Sequence, residues 1–139
     1  MKSFALKIVT PTRELLNSQV EHVMLPGAEG FFGVLAGHVP LLAILNIGTA
    51  RFRSPDTERT VFLSGGYAEV LGDGVTVIAR SAEFIEEIDV NRAESARIRA
   101  ADRLAAHAPG TDVKRAQDAL LRALLRLEQA RKFKRSPGS

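Results

Sequence analysis

The chain has 139 residues, 45% of them hydrophobic, and no cysteine. This length supports one main domain with at most a small appendage, and the lack of cysteine excludes a disulfide framework or a thiolate metal site and suits a reducing compartment. The net charge of +3 is divided unevenly, with −3 in residues 1–88 and +6 in residues 89–139, so two segments with different partners are expected.

The N-terminal stretch Met1–Lys7 lacks a signal peptide's apolar core. No window approaches 18 continuous apolar residues, so no bilayer-spanning helix is expected. Phe4, Leu6 and Ile8 alternate with Ala5, Lys7 and Val9, a strand with one better buried face. Thr10-Pro11-Thr12 predicts a turn, because proline fixes φ and supplies no N–H. A second strand is expected from Leu15 to Gln19. A third covers Val20 to Leu25 and stops at Pro26-Gly27. Glycines then fall at 27, 30, 33 and 37 inside an apolar run that ends Val39-Pro40-Leu41-Leu42. That spacing predicts strands that bend sharply and cross. It is no phosphate cradle, because Lys-Ser/Thr does not follow the glycines and G-x-G-x-x-G is absent.

Leu41 to Ile47 reads as a strand ended by Gly48. Thr49–Arg53 and Thr60–Ser64 flank Ser54-Pro55-Asp56-Thr57, a hairpin loop. Tyr67–Leu71 and Val75–Ala79 flank Gly72-Asp73-Gly74, a strong hairpin signal. About eight to ten strands are expected between residues 3 and 86, forming a β-sandwich or barrel.

The pattern changes after Ile88. Proline is absent from 56 to 108 and glycine from 75 to 109. Ala93, Ala96, Ala100, Leu104 and Ala108 recur at helical spacing, with Asp89 or Asn91 as N-cap. Pro109-Gly110 ends this helix near His107. Thr111 or Asp112 caps a second helix whose main stripe is Val113, Ala116, Leu120, Ala123, Leu124, Leu127 and Ala130. The short connection makes the pair an antiparallel hairpin. Leu121 and Leu125 lie beside the stripe, where one alanine-rich partner cannot easily cover them. They are expected to rest on the β domain, with a partner surface as the alternative. The expected division is therefore a β-sandwich over 1–88 and a basic helical hairpin over 89–139.

Catalysis by this chain alone is not expected. His22, His38 and His107 share no metal spacing, and Ser64 is not in a G-x-S-x-G elbow because position 62 is Phe. Glu83, Glu86 and Glu87 read as a solvated edge that suits a helix N-terminus. A nucleic-acid scaffold is not favoured either, since stacking aromatics are missing between Glu86 and Lys132. An anion site on the hairpin can be argued from spacing, although on the residues alone solvated or paired arginines are the favoured reading. Arg99 lies eleven residues before the turn near residue 110, and Arg122 twelve after it, so the two are level. Arg92 and Arg99 are one heptad apart, and Arg122 and Arg126 are an i, i+4 pair. Four guanidiniums can thus converge beside the start of the first helix and hold a phosphate. The alternative is that they fan into water or pair with Glu94, Asp102 and Asp118.

Three ordered motifs carry a family resemblance over about Lys7 to Gln129. They are Glu29-Gly30-x-Phe32-Gly33-Val34-Leu35-x-Gly37-His38-x-Pro40-Leu41-Leu42, Val61-x-x-Ser64-Gly65-Gly66-Tyr67-x-Glu69-Val70 and Ile88-Asp89-x-x-Arg92-Ala93. Together they resemble the epsilon subunit of F-type ATP synthases. The resemblance implies a non-catalytic rotor part on the cytoplasmic face of the bacterial inner membrane. Its sandwich would bind the gamma subunit and the c-ring, touching the membrane only through the complex. Its hairpin would be compact or extended towards the alpha and beta subunits, where it blocks ATP hydrolysis. No cofactor is required and no nucleic acid is a partner. ATP enters as a regulatory ligand, with Glu83, Ile88, Asp89, Arg92, Ala93, Arg99, Arg122 and Arg126 at the matching positions. A stand-alone nucleotide sensor is the alternative. Glu29 and His38 match the segment that faces the c-ring and lower stalk. The sequence departs from the family at Phe31, where relatives usually carry a polar residue, and at Ala36, where proline is common. An exposed Phe31 would be an interface anchor instead.

Overall fold

The computed structural model describes residues 2–135. Eight strands precede a single 3₁₀ turn and two helices. One compact unit ends at Phe84 and the second begins at Ile85.

The first unit is one continuous sheet. Its strands are β1 (Phe4–Val9), β2 (Glu14–Val20), β3 (His22–Gly27), β4 (Gly30–Val34), β5 (Leu41–Arg53), β6 (Glu58–Leu71), β7 (Gly74–Ala79) and β8 (Ala82–Phe84). They are ordered β2-β1-β7-β6-β5-β3-β4, with β8 paired to β6. All neighbours are antiparallel except β1 and β7. Residues from both ends of this order, such as Leu6 and Val77 with Val23, Val34 and Phe52, belong to one buried cluster. The sheet therefore folds over on itself to enclose its core, as a sandwich does.

Strands β5 and β6 make that fold possible. They stay paired from Leu41↔Val70 to Arg53↔Glu58. Side chains alternate faces along a strand, yet the parity of the buried positions reverses partway. Among the residues of the core cluster it passes in β6 from Val61 and Leu63 to Ala68 and Val70, with Phe62 buried outside that cluster. In β5 it passes from Leu45 to Ala50 and Phe52. The reversal in β6 falls at Gly65 (φ +98°) and Gly66 (φ +149°), a left-handed step that only glycine takes cheaply. Ser64, beside the step, is buried but paired, donating to the Ser81 carbonyl and accepting from the Ser81 amide at 2.9 Å.

These facts correct the sequence reading at three points. Gly48 does not end a strand, because it is a buried midpoint of β5 beneath Pro26. Thr60–Ser64 and Tyr67–Leu71 are one strand, since the glycines bend β6 without shifting its register against β5. The expected Val20–Leu25 strand is divided, with Val20 closing β2 and His22 opening β3. Eight strands fall within the expected range, and the hairpin turns at 54–57 and 72–73 stand where the polar and Asp-Gly signals place them.

The second unit holds η1 (Ile85–Glu87), α1 (Val90–Ala106) and α2 (Val113–Arg135). Asp89 caps α1 by accepting from the Arg92 amide at 3.0 Å, and Asp112 caps α2 by accepting from the Arg115 amide at 3.0 Å. Of the two candidates for each cap, the aspartate serves. His107 takes the left-handed conformation (φ +47°) that closes α1, and Pro109-Gly110 turns the chain. The helices pack through buried Ala93 and Ala100 on α1 and Ala116, Ala123, Leu127 and Ala130 on α2. Alanine gives a close approach but buries little apolar area.

Two expected stripe members are not in the seam. Val113 precedes the first full turn of contacts and is exposed, and Leu124 is 46% exposed. The seam on α2 steps 116, 120, 123, 127, 130, the four-three alternation of a close helix pair, and Leu124 falls one residue beyond it. Leu121 is likewise 45% exposed, whereas Leu125 is partly buried.

The step at Gly66 yields a direct test. A Cβ there would lie 2.0 Å from the Ile78 carbonyl oxygen, whereas at Gly72 nothing lies within 4 Å. Gly66→Ala is expected to cost about 3 kcal/mol or more in urea unfolding, and Gly72→Ala less than about 0.5 kcal/mol. Equal midpoints for the two variants would show that β6 does not need its left-handed step.

Candidate functional site

The helical unit carries the candidate anion site, and its layout follows from the seam. In an antiparallel pair of right-handed helices, the residues just before the seam positions on both helices project to the same side. Arg92 and Arg99 immediately precede the buried Ala93 and Ala100, and Arg103 precedes the partly buried Leu104. Arg115, Arg122 and Arg126 immediately precede the buried Ala116, Ala123 and Leu127. Six arginines therefore share one face. The other seam-preceding positions of the two helices hold Ser95, Ala119 and Gln129, and Asp118 lies one turn before Arg122.

Five carboxylates of the unit have partners of their own. Asp89 and Asp112 cap helices. Asp118 pairs with Lys114 at 3.6 Å and Glu128 with Lys132 at 3.3 Å. Glu94 pairs with Arg97 on the opposite face, accepting from its Nε at 3.0 Å and from its Nη2. That hydrogen bond is the main reason the Glu94 carboxyl is held below its ordinary range, with the charges of Arg97 and then Arg131 adding to it. Arg131 follows the seam residue Ala130 just as Glu94 follows Ala93, so the electrostatics agree with the two-faced layout. Of the pairings proposed with Glu94, Asp102 and Asp118, Glu94 and Asp118 thus take other partners.

The Ile88-Asp89-x-x-Arg92-Ala93 motif has a structural content of its own. Ile88 is buried, Asp89 caps, Ala93 is the first seam residue, and Arg92 is the exposed member. Glu83 belongs to the other unit. It lies on β8, opposite Phe62 of β6. Ile88, Asp89, Arg92, Ala93, Arg99, Arg122 and Arg126 all fall in the helical unit.

The candidate contact residues of the sheet unit gather around β4. Glu29 is exposed in the tight turn between β3 and β4, where Gly27 pairs with Gly30. Phe31 follows on β4 and is 67% exposed. His38 lies in the loop after β4, its Nδ1 2.7 Å from the Val39 carbonyl oxygen, which fixes the ring as a donor there. Sequence reasoning did not identify the apolar outer face beside them. Leu42 and Ile44 point outward from β5, and Ile44 at 71% exposure is in register with exposed Tyr67 of β6, itself opposite Ile78 of β7. The alternation in Leu41–Ile47 is the signal that carried it, but a wholly apolar run hides which face is outside. Among the described residues no helix is long and apolar enough to cross a membrane, and no group of three or more metal-ligating side chains is present.

Comparison with known proteins fits this architecture. Residues 3–85 match the β-sandwich domain of the ATP synthase delta/epsilon chain, and residues 86–131 match the long α-helix domain of the same family. The ATP synthase epsilon chain of Syntrophobacter fumaroxidans is 50% identical over 127 residues, covering 91% of this chain and 95% of that one. The epsilon chain of Bacillus pumilus is 42% identical over 132 residues, covering 95% and 100%. A chain in the Euglena gracilis mitochondrial ATP synthase structure of OSCP, F1 and c-ring shares the fold with a TM-score of 0.78 at 24% identity, covering 92% of this chain and 81% of that chain. A chain of the Tetrahymena thermophila central stalk and c-ring structure does so with a TM-score of 0.60 at 12% identity. The protein belongs to the ATP synthase delta/epsilon family, as an epsilon-type chain, which agrees with the resemblance carried by the three sequence motifs.

The caps and the Glu94–Arg97 pair give the second test. Asp89→Ala is expected to lower the stability of the helical unit by about 1 kcal/mol, read from thermal melts by far-UV circular dichroism. Because the folded carboxyl of Glu94 titrates below its unfolded value, its contribution is present at neutral pH and is lost as pH falls through that lowered range. Glu94→Gln should remove that part of the acid-side decline, and an unchanged pH dependence would show the pair to be idle.

Proposed function

We propose that this chain is a non-catalytic subunit of the rotor of a proton-translocating ATP synthase, peripheral at the cytoplasmic face of a bacterial inner membrane. The sheet unit binds the gamma subunit and the c-ring, and the helical hairpin restrains ATP hydrolysis at the alpha and beta subunits. Family membership supports the assembly, and the outward Leu42, Ile44 and Tyr67 beside Phe31 supply apolar area suited to a permanent contact. Phe31 is the anchor of the c-ring contact, with Glu29 and His38 as its polar neighbours.

The hairpin responds to ATP through its arginine face. The single observation behind this reading is that Arg92, Arg99, Arg122 and Arg126 each stand one residue before a buried seam position, so both helices must pack for the four to face one way. A triphosphate held there favours the packed hairpin, and it shifts the population only by its differential affinity for that state. The shallow alanine seam keeps the opposing state within reach.

Two measurements test the proposal. Deleting residues 89–139 from the assembled enzyme is expected to raise ATP hydrolysis several-fold, and an unchanged rate removes the restraint. Isothermal titration of the purified chain with ATP should saturate, and Arg92→Ala should abolish the signal. A saturable signal that survives Arg92→Ala would move the nucleotide off the arginine face.

A further inference from the structure

Phe133 is the one aromatic residue in the sequence from Ile85 onward, and it lies beyond residue 131, where the match to the family's helical domain ends. It is 43% exposed, unusual for a side chain whose helix has an apolar seam to offer it. The buried seam on α2 runs 123, 127, 130 and the following Lys134 is exposed, so it is helical periodicity that puts Phe133 on the row of Arg122 and Arg126. It is one heptad beyond Arg126, about 10 Å further along the axis. At that level α1 has ended, and η1 packs against α2. The row on α2 therefore reads Arg122, Arg126, Gln129, Phe133, from guanidiniums through an amide to an exposed ring.

We propose that Phe133 stacks on the base of a nucleoside triphosphate whose phosphates lie on Arg92, Arg122 and Arg126. This rests on the nucleotide reading of the arginine face and adds to it what phosphate contacts cannot supply. Guanidiniums bind any polyphosphate alike, whereas a ring at the end of the row rewards the presence of a base, since stacking of a base on an aromatic ring is worth enough to decide between ligands. Gln129, between the charges and the ring, faces the ribose. The site thereby prefers a nucleotide over inorganic tripolyphosphate of the same charge.

The test uses the full-length chain and two probes, ATP and inorganic tripolyphosphate. Phe133→Ala is expected to weaken ATP binding about tenfold and to leave tripolyphosphate binding unchanged. Phe133→Trp gives a second readout, because the chain has no tryptophan of its own. The introduced indole should be quenched by ATP and not by tripolyphosphate. If the unaltered chain gives no saturable ATP signal, the nucleotide reading fails and this inference with it. If ATP binds the unaltered chain and Phe133→Ala equally well, or if both probes quench the indole alike, the nucleotide reading stands and the stacking role of Phe133 is overturned.

Discussion

The packing of alanine against alanine and leucine along the hairpin seam is the contact on which the rest of the helical unit depends. It sets the two helices close enough that positions on both become one surface. Once Ala93 and Ala100 face Ala116, Ala123 and Leu127, every residue immediately before them is carried to the same side. The arginines gain no packing from this, and gathering them is electrostatically unfavourable. The helix caps at Asp89 and Asp112 and the Glu94–Arg97 pair lie off the arginine face, so none of them neutralises it. A positively charged surface held together by a thin apolar seam is sensitive to any anion that binds across both helices.

The sheet unit is built on the opposite principle. Its core is large and its strands are long, and β5 and β6 keep one register on both sides of the fold-over. The left-handed pair Gly65-Gly66 lets one ribbon serve both layers in a single register. Because the strands are committed over their full length, the outer apolar residues Leu42, Ile44 and Tyr67 are held at fixed spacing. A rigid apolar face suits a lasting partner, whereas a loosely sealed, charged hairpin suits a regulated one.

Much of this was legible in the sequence because it rests on local chemistry. Asp89 and Asp112 announce helix starts, Pro109-Gly110 announces a stop, and Asp73 between glycines announces a hairpin. The level placement of Arg99 and Arg122 follows from counting residues away from a turn. Where the reading went astray, a local signal was overruled by partners distant in sequence. Gly48 looks like a terminus, yet Pro26 on β3 packs where its side chain would be. Gly65-Gly66 looks like a break, yet pairing with β5 on one side and β7 on the other carries the strand through. Leu124 fits a helical stripe by eye, and only the position of the facing helix decides that the seam passes beside it.

The sequence by itself determined the two-part division, the strand-rich and helix-rich halves, the caps, the charge asymmetry and the family, because composition, periodicity and capping chemistry act over a few residues and leave local marks. Only the tertiary structure decided which face of each element is buried. It reversed the burial parity within β5 and β6 and turned Leu42 and Ile44 outward. Burial is a property of what lies opposite, and an apolar run or a helical stripe carries no record of its partner until the chain has folded.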